Sequence, residues 1–530
     1  MSISSSSQKS ISWIVFALGI ASALFFAVYT DHRWEDWYIT FRASKNLSEG
    51  LGFTFNLNER VHSFTSPIGT LIPALLNFIL HDDEGVIWSF RVINMVLIGV
   101  VVKLLFDLFS KTIKAPVWPA LLIAFVLVFD EKSIDYSING METAFMLLGI
   151  VLLIRELFRS DIPDPLRLGL IFAYLMWSRP DAFIHIGSLL LGYLLFKNRT
   201  WKHFNVFFKG GMLGILFYAP WILFAWWYYG NPIPNTILAK GFTITLESIV
   251  NRGALYVQSV FMGLVSSEAP YLWIFAPAYY YYATWPVVLL FVMKVITYVS
   301  VFLWVIPKVN SNARFLSFAA FLVASYLNIF SPTIYPWYIP AVMVICLTSI
   351  GCAVAQPVKP MVRADKNWVP VGVLSVILVA QLWVYFGGLI QMRSQQDVIE
   401  NGLRKEIGLW LKEESNTPEE TVFLEPLGYI GFYSGLTMYD YPGLCNTTVT
   451  NARKKLKTES YVQLINYIQP NWVVFRPWDL NTASKEEANA FAEHYDLART
   501  FSQKDSVQKL NVYGRNYLAY DSEFLVYKKK

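Results

Sequence analysis

The stretch EDWYITFRASKNLSEGLGFTFNLNERVHSFTSP, residues 35–67, decides how this chain is read. An apolar run from about Ile11 to Tyr29 precedes it, and a second begins at about Pro67. Between them, Ile39, Ala43 and Leu47 fall on one helical stripe that Phe41 widens, while Arg42, Lys45 and Glu49 gather on the polar side. Gly50 and Gly52 then stop the helix. The pattern predicts an amphipathic helix along a membrane interface, inside a first outer loop over 31–66. Two adjacent acids, Glu35 and Asp36, open it. An aspartate there is a good N-cap, and a glutamate is favourable beside the positive helix end. A carboxylate in that place can also take a proton from an attacking hydroxyl.

Composition extends the membrane reading to most of the chain. Of 530 residues, 55% are hydrophobic and only 15% are charged, and the mean hydropathy is +0.41, which points to a polytopic α-helical membrane protein. Further apolar runs cover roughly 67–81, 86–109, 116–129, 142–158, 166–178, 182–197, 204–229, 284–306, 314–330, 337–356 and 368–390, which gives about 11–13 spans. Basic clusters such as Lys197/Arg199/Lys202 and Lys359/Arg363/Lys366 mark cytoplasmic loops. They set a cytoplasmic N-terminus in an inner, cytoplasmic membrane, with the segments between them outside. One conflict stands: if 67–81 and 86–109 both cross, Lys111 and Lys114 land outside, against the charge rule.

At about Gln391 the long apolar runs give way to polar sequence. The predicted organisation is a transmembrane domain over 1–390 and an extracytoplasmic soluble α/β domain over 391–530. Ile399, Leu403, Ile407 and Leu411 recur every four residues, as in a helix. TVFLE (421–425) and WVVFR (472–476) read as buried strands, and Gly428, Gly431 and Gly435 as turn punctuation. The net charge is only +5, without a basic aromatic stripe, so nucleic acid is not an expected partner. The three cysteines build neither a disulfide framework nor a metal site, and no HExxH motif occurs.

The runs EDWYITFR, NLSEGLGFTFN and ERVHSFTSP resemble the first outer loop of bacterial GT-C glycosyltransferases related to the mycobacterial terminal arabinofuranosyltransferases. The resemblance continues in GMETAF (140–145), SRPDA (178–182), YYGNPIPNTILAK (228–240) and LGYIGFYSGLTMYDYPGL (427–444). It implies a GT-C-like fold and an enzyme that moves a sugar, with inversion, from a polyprenyl-phosphate carrier to an acceptor hydroxyl on the outer face. The acceptor would be a cell-envelope glycan, a lipid-linked glycan or a protein, with membrane lipids as surroundings. The acidic pair carries the base in such enzymes. Here it is Glu35-Asp36 where many relatives have two aspartates, so Asp36 is the first choice and Glu35 its support.

The same resemblance makes Arg42, Arg179, Asn235, Lys240 and Glu142 donor-site candidates, and Tyr429 and Tyr433 candidates for the acceptor. Each has a plainer reading. Arg179 and Asp181 can form an ordinary ion pair at a helix break. Glu142, at the start of an apolar run, needs a partner or a role. Asn235 can cap a helix, and Lys240 can snorkel to the interface. Lys45, Arg60 and His62 are further first-loop cations suited to headgroups or a phosphate. The aromatic blocks 226–229, 279–282 and 335–338 fit interface belts, with 335–338 the best placed to stack on a sugar. No cofactor is required, since the sugar phosphoester bond carries the energy, and a divalent cation is left open. The competing class is a non-enzymatic transporter of lipid-linked sugar or solute, whose charges would line a path.

Overall fold

The computed structural model describes residues 5–57, 59–241, 245–262, 274–278, 284–331, 334–355 and 368–530. Helices dominate: α1 (Ser5–Thr30), α2 (Glu35–Ser48), α3 (Pro67–Leu80), α4 (Asp83–Asp107), α5 (Val117–Val128), α6 (Glu131–Ile138), α7 (Thr143–Arg159), α8 (Pro165–Ser178) and α9 (Ala182–Phe196). They continue with α10 (Trp201–Tyr229), α11 (Asn235–Gly241), α12 (Leu246–Met262), α13 (Val287–Phe302), α14 (Ser311–Phe330), α15 (Ile339–Ala355), α16 (Trp368–Gln395) and α17 (Glu406–Glu414).

Among the described residues, seven helices are long and apolar enough to cross a membrane: Ser7–Thr30, Asp83–Thr112, Trp201–Tyr229, Val287–Val305, Ser311–Phe330, Pro336–Ala355 and Ser375–Glu414. Of the remaining runs counted as spans from the sequence, five form the shorter helices α3, α5, α7, α8 and α9, of 12 to 17 residues. A full span takes about 20 residues. Phe261, Trp227 and Val287 are each about 80% exposed, as expected of side chains that face lipid.

The conflict at Lys111 resolves in α3. Its Pro73-containing 14 residues lie alongside α2, with Ser44 Oγ donating to Thr70 O (2.8 Å) and Asn77 Nδ2 donating to Ser48 Oγ (2.6 Å). Lys45 then meets Asp83 at the start of α4 (2.9 Å), so 67–81 does not cross. From there α4 runs antiparallel to α1. Arg91 pairs with Asp31 (2.9 Å), Gly99 packs on Phe16 and Ile20, and Lys103 sits 5.0 Å from the Trp13 ring centroid. Lys111 therefore shares a face with the N-terminal end of α1, in keeping with the charge rule.

The compositional change at 391 falls inside a continuous helix. From α16 the chain passes through a π-helical stretch, Gln396–Lys405, straight into α17. Ile399, Leu403, Ile407 and Leu411 are buried along it as their spacing predicts. Beyond it lies a five-stranded sheet in the order β2-β1-β3-β5-β4, with β1 (Thr421–Leu424), β2 (Thr437–Asp440), β3 (Trp472–Phe475), β4 (Tyr495–Ser502) and β5 (Glu523–Lys529). β1 is parallel to β2 and β3, while β5 is antiparallel to β3 and β4. One core packs Val422, Leu424 and Val474 with Ile407 and Leu411; a second packs Phe423, Val473 and Phe475 with Val462 and Ile465. Two covered faces are why TVFL and WVVF read as unbroken apolar runs.

One expectation fails here. Gly428 and Gly431 do not sit in turns; they belong to a helix, α18 (Gly428–Ser434), and only Gly435 ends it, at φ 72°. Close approach requires both glycines. A Cβ on Gly428 would come within 1.9 Å of the Glu35 carbonyl oxygen, and one on Gly431 within 2.7 Å of the Phe55 ring.

Candidate active site

α2 is the hub on which the membrane helices and the C-terminal domain meet. It does not lie as an amphipathic surface helix: Trp37, Tyr38, Ile39, Phe41, Arg42 and Ala43 are all buried. Trp37, Tyr38 and Phe41 join the cluster of α1 and α4, Ile39 joins the core of the C-terminal sheet, and Ala43 joins the aromatic cluster of Phe53, Phe64, Tyr218 and Trp221. A helix enclosed this way loses the lipid-facing side that its period suggests.

The N-cap of α2 is Trp34, so Glu35 and Asp36 stand in the first turn and Asp36 is not the cap. Glu35 reaches the C-terminal domain, where its Oε1 accepts from the Gly428 amide N–H. Burial, together with Asp36 and Glu400, pushes its carboxyl well above the usual range against the pull of Arg404. Asp36 is half-buried and lies on the α2 face shared with Thr40, Ala43 and Leu47.

Beside α2, towards Trp37 and α3, stand the charges of three other helix ends. Gly69, in the first turn of α3, approaches Glu142, and Trp37 packs over Gly140. Glu142 and Asp181 are the residues just before α7 and α9, and Arg179 follows α8. The Arg179 guanidinium donates to both oxygens of Asp181 (2.9 and 3.0 Å) and to Glu142 Oε1 (2.5 Å), and lies 4.8 Å from the Tyr338 ring centroid. Desolvation would lower the Arg179 pKa, but the two carboxylates outweigh it and hold the cation. The two acids differ. Despite its burial, Asp181 is held below its usual range by the bidentate pairing, whereas burial raises Glu142 in spite of its single contact to Arg179. Trp337 continues this wall, 6.1 Å from Tyr136, which stacks on Trp34 at 4.8 Å.

The structure thus brings Glu142, Arg179, Asp181 and the aromatic block 335–338 into one cluster beside α2, the helix whose first turn carries Asp36. Other candidates go elsewhere. Arg42 is buried, and its guanidinium donates to the carbonyls of Gly431 (2.6 Å), Gly435 (3.0 Å) and Leu436 (3.0 Å), so it clamps the end of α18. Asn235 Nδ2 donates to the carbonyls of Gly443 (2.7 Å) and Leu444 (3.0 Å), which ties α11 to the C-terminal domain. Tyr429 is buried, its hydroxyl donating to Arg33 O (3.1 Å) and to Gln396 Oε1 (3.2 Å). Tyr433 instead borders a cleft on the opposite side of α2. Lys240 sits in α11, but its side chain, like the block 279–282, lies outside the described residues.

His62 is not a cation here. Its ring stacks on Tyr229 (4.6 Å), both ring nitrogens are buried without a hydrogen bond, and burial pulls its pKa down to about 3. Arg60 lies over Tyr228 (5.1 Å). A buried polar group escaped the sequence reading: Asp130, Glu131, Lys132 and Asp135, with Asp135 Oδ1 3.4 Å from His32 Nδ1. The run FDEKSIDYS (129–137) looks like an exposed loop between apolar runs, and only its place in the fold encloses it.

Comparison with known proteins agrees with this architecture. Residues 65–224 match the family described as dolichyl-phosphate-mannose-protein mannosyltransferase, and residues 390–527 match a domain family of unknown function, DUF8728. A terminal beta-(1->2)-arabinofuranosyltransferase of Mycobacterium tuberculosis is 26% identical over 231 residues, which cover 40% of this chain and 35% of that protein. Among solved structures, ArnT from Cupriavidus metallidurans superposes with a TM-score of 0.55 at 12% identity, both bound to undecaprenyl phosphate and in the apo state. The first alignment covers 96% of this chain and 97% of ArnT, the second 99% and 98%. The fold is that of a multi-pass GT-C membrane protein. Within it, residues 65–224 and the stretch aligned with the arabinofuranosyltransferase are similar to glycosyltransferases, and the chain spans about a third of the length of that relative.

Proposed function

We propose that this protein is an inverting glycosyltransferase that moves a sugar from a polyprenyl-phosphate carrier to an acceptor hydroxyl at the outer face of the cytoplasmic membrane. The observation that supports this reading is the Arg179, Glu142 and Asp181 cluster beside α2, the helix that opens with the half-buried Asp36. The matches to a dolichyl-phosphate-mannose family and to the fold of ArnT bound to undecaprenyl phosphate support a lipid-phosphate donor.

In this reaction the acceptor oxygen attacks the anomeric carbon from the face opposite the phosphate. The glycosidic C–O bond forms as the C–O bond to phosphate breaks, the bonding electrons leave with the polyprenyl phosphate, and the hydroxyl proton passes to Asp36. Arg179 supplies charge to the departing phosphate. Of its two partners, Glu142 holds a single contact and burial favours its neutral form, so Glu142 is the one that gives way to a phosphate. Glu35 orients the turn that carries Asp36. Lys240 remains a donor-site proposal from sequence. No nucleotide enters the reaction.

The test is transfer from radiolabelled polyprenyl-phosphate sugars by purified protein, with membrane extract as the acceptor source. Wild type transfers label, and Asp36→Asn does not, at equal abundance and equal donor binding. Undiminished transfer by Asp36→Asn would overturn the assignment of the base.

A further inference from the structure

One well-formed cleft lies away from Asp36. At 100° per residue, Tyr38, Lys45 and Glu49 lie about 180–220° around α2 from Asp36, and these three line a cleft of about 540 Å³. It opens where the end of α3, the start of α4, α18 and Lys405 of the π-helical stretch converge. Its volume is that of a small-ligand site.

The chemistry of the lining narrows the ligand. Ile87 and Phe432 alone among the lining residues lack a hydrogen-bonding side chain, which disfavours a lipid tail. Four carboxylates, Glu49, Asp82, Asp83 and Glu84, face two cations, Lys45 and Lys405, leaving a formal charge of −2. Both cations are engaged: Lys45 Nζ donates to both oxygens of Asp83 at 2.9 Å, and Lys405 Nζ lies 5.0 Å from the Tyr433 ring centroid. A phosphate would meet net negative charge. A neutral polyol would find acceptors in the carboxylates, donors in the ammonium groups and Asn77, and half-buried aromatic surface in Phe432 and Tyr433.

We propose that this cleft is a saccharide-binding site that holds the glycan part of the acceptor, separate from the reaction centre on the other side of α2. The proposal rests on the glycosyltransferase reading and narrows its acceptor to a carbohydrate. It makes α2 a partition one helix thick, about 10 Å, between a neutral polyol and a phosphate-linked sugar.

The test uses the full-length protein in nanodiscs. Binding of a panel of neutral oligosaccharides (arabinan, mannan, galactan and glucan fragments) and of their phosphorylated counterparts is followed by saturation-transfer NMR. At least one neutral oligosaccharide is expected to bind, about tenfold more weakly to Glu49→Arg and Lys405→Gln and unchanged with Asp36→Asn. Glu49→Gln, which keeps an acceptor oxygen, is expected to lose less than Glu49→Arg, a gradation that misfolding would not give. Binding of phosphorylated sugars alone, binding that both cleft variants leave intact, or no binding by wild type overturns the proposal. Transfer assays separate the two readings. Cleft variants with an unchanged acceptor KM in an active enzyme sink the cleft alone. Glycan binding sensitive to the cleft, without transfer from any donor, sinks the glycosyltransferase reading and leaves the cleft.

Discussion

The two faces of α2 use charge in opposite ways. On the Trp37 side Arg179 is shared by a buried and a half-buried acid that it does not treat alike, Asp181 held charged and Glu142 pushed towards its neutral form. On the Tyr38 side four acids and two cations line an open cleft, and Lys45 and Asp83 form a pair about one-third exposed to solvent. Buried charge is costly to strand and therefore responsive to a ligand, whereas exposed charge is screened and shapes a surface without storing much energy. In the reading proposed above, one short helix separates a reactive environment from a recognising one.

The sharpest way to break this comparison is at Asp36. Asp36→Asn is expected to lower transfer ~10²–10⁴-fold with thermal unfolding unchanged. A parallel loss of stability would mean that the residue serves folding. Next comes Arg42→Met, which strips three buried carbonyls of their donor and should cost about 3 kcal/mol. Limited proteolysis should then release the C-terminal domain more readily.

Gly428→Ala should follow at about 1–3 kcal/mol, the usual range for overpacking, because the new methyl meets the Glu35 backbone. Thermal unfolding measures it, and a neutral result would mean that α18 shifts freely against α2. Glu35 predicts a pH dependence. Its folded pKa lies above 4.5, so the folded chain binds that proton more tightly than the unfolded one. The contribution is complete below about pH 4.5 and is lost as pH rises through the elevated value. Glu35→Gln keeps the acceptor for the Gly428 N–H and should flatten that part of the stability profile. Smallest of all, Lys45→Met should change stability by less than about 1 kcal/mol.

Much of this was legible in the sequence, for identifiable reasons. The strands 421–424 and 472–475 could be read because burial on both faces leaves unbroken apolar runs. The helix through Ile399–Leu411 could be read from a single repeating period. α2 misled because its neighbours lie more than 300 residues apart in the chain: Ile39 meets the core of Leu424, and Arg42 serves carbonyls at 431–436. Arg42 and Asn235 sit within stretches that resemble glycosyltransferase motifs, yet a resemblance does not say whether an arginine faces a phosphate or a backbone. Gly428 and Gly431 resemble turn glycines because contact between distant helices selects the same residue as a bend does.

The uninterrupted helix from Ser375 to Glu414 couples the two halves by angular phase. It spans about 60 Å with no hinge between membrane and sheet. A single residue inserted near 391 would rotate the C-terminal domain about 100° around this shaft and carry Gly428 away from Glu35. Inserting seven would restore the angle to within about 20° yet lift the domain about 10 Å along the shaft, so Gly428 would still lose Glu35: the helix fixes height as well as phase.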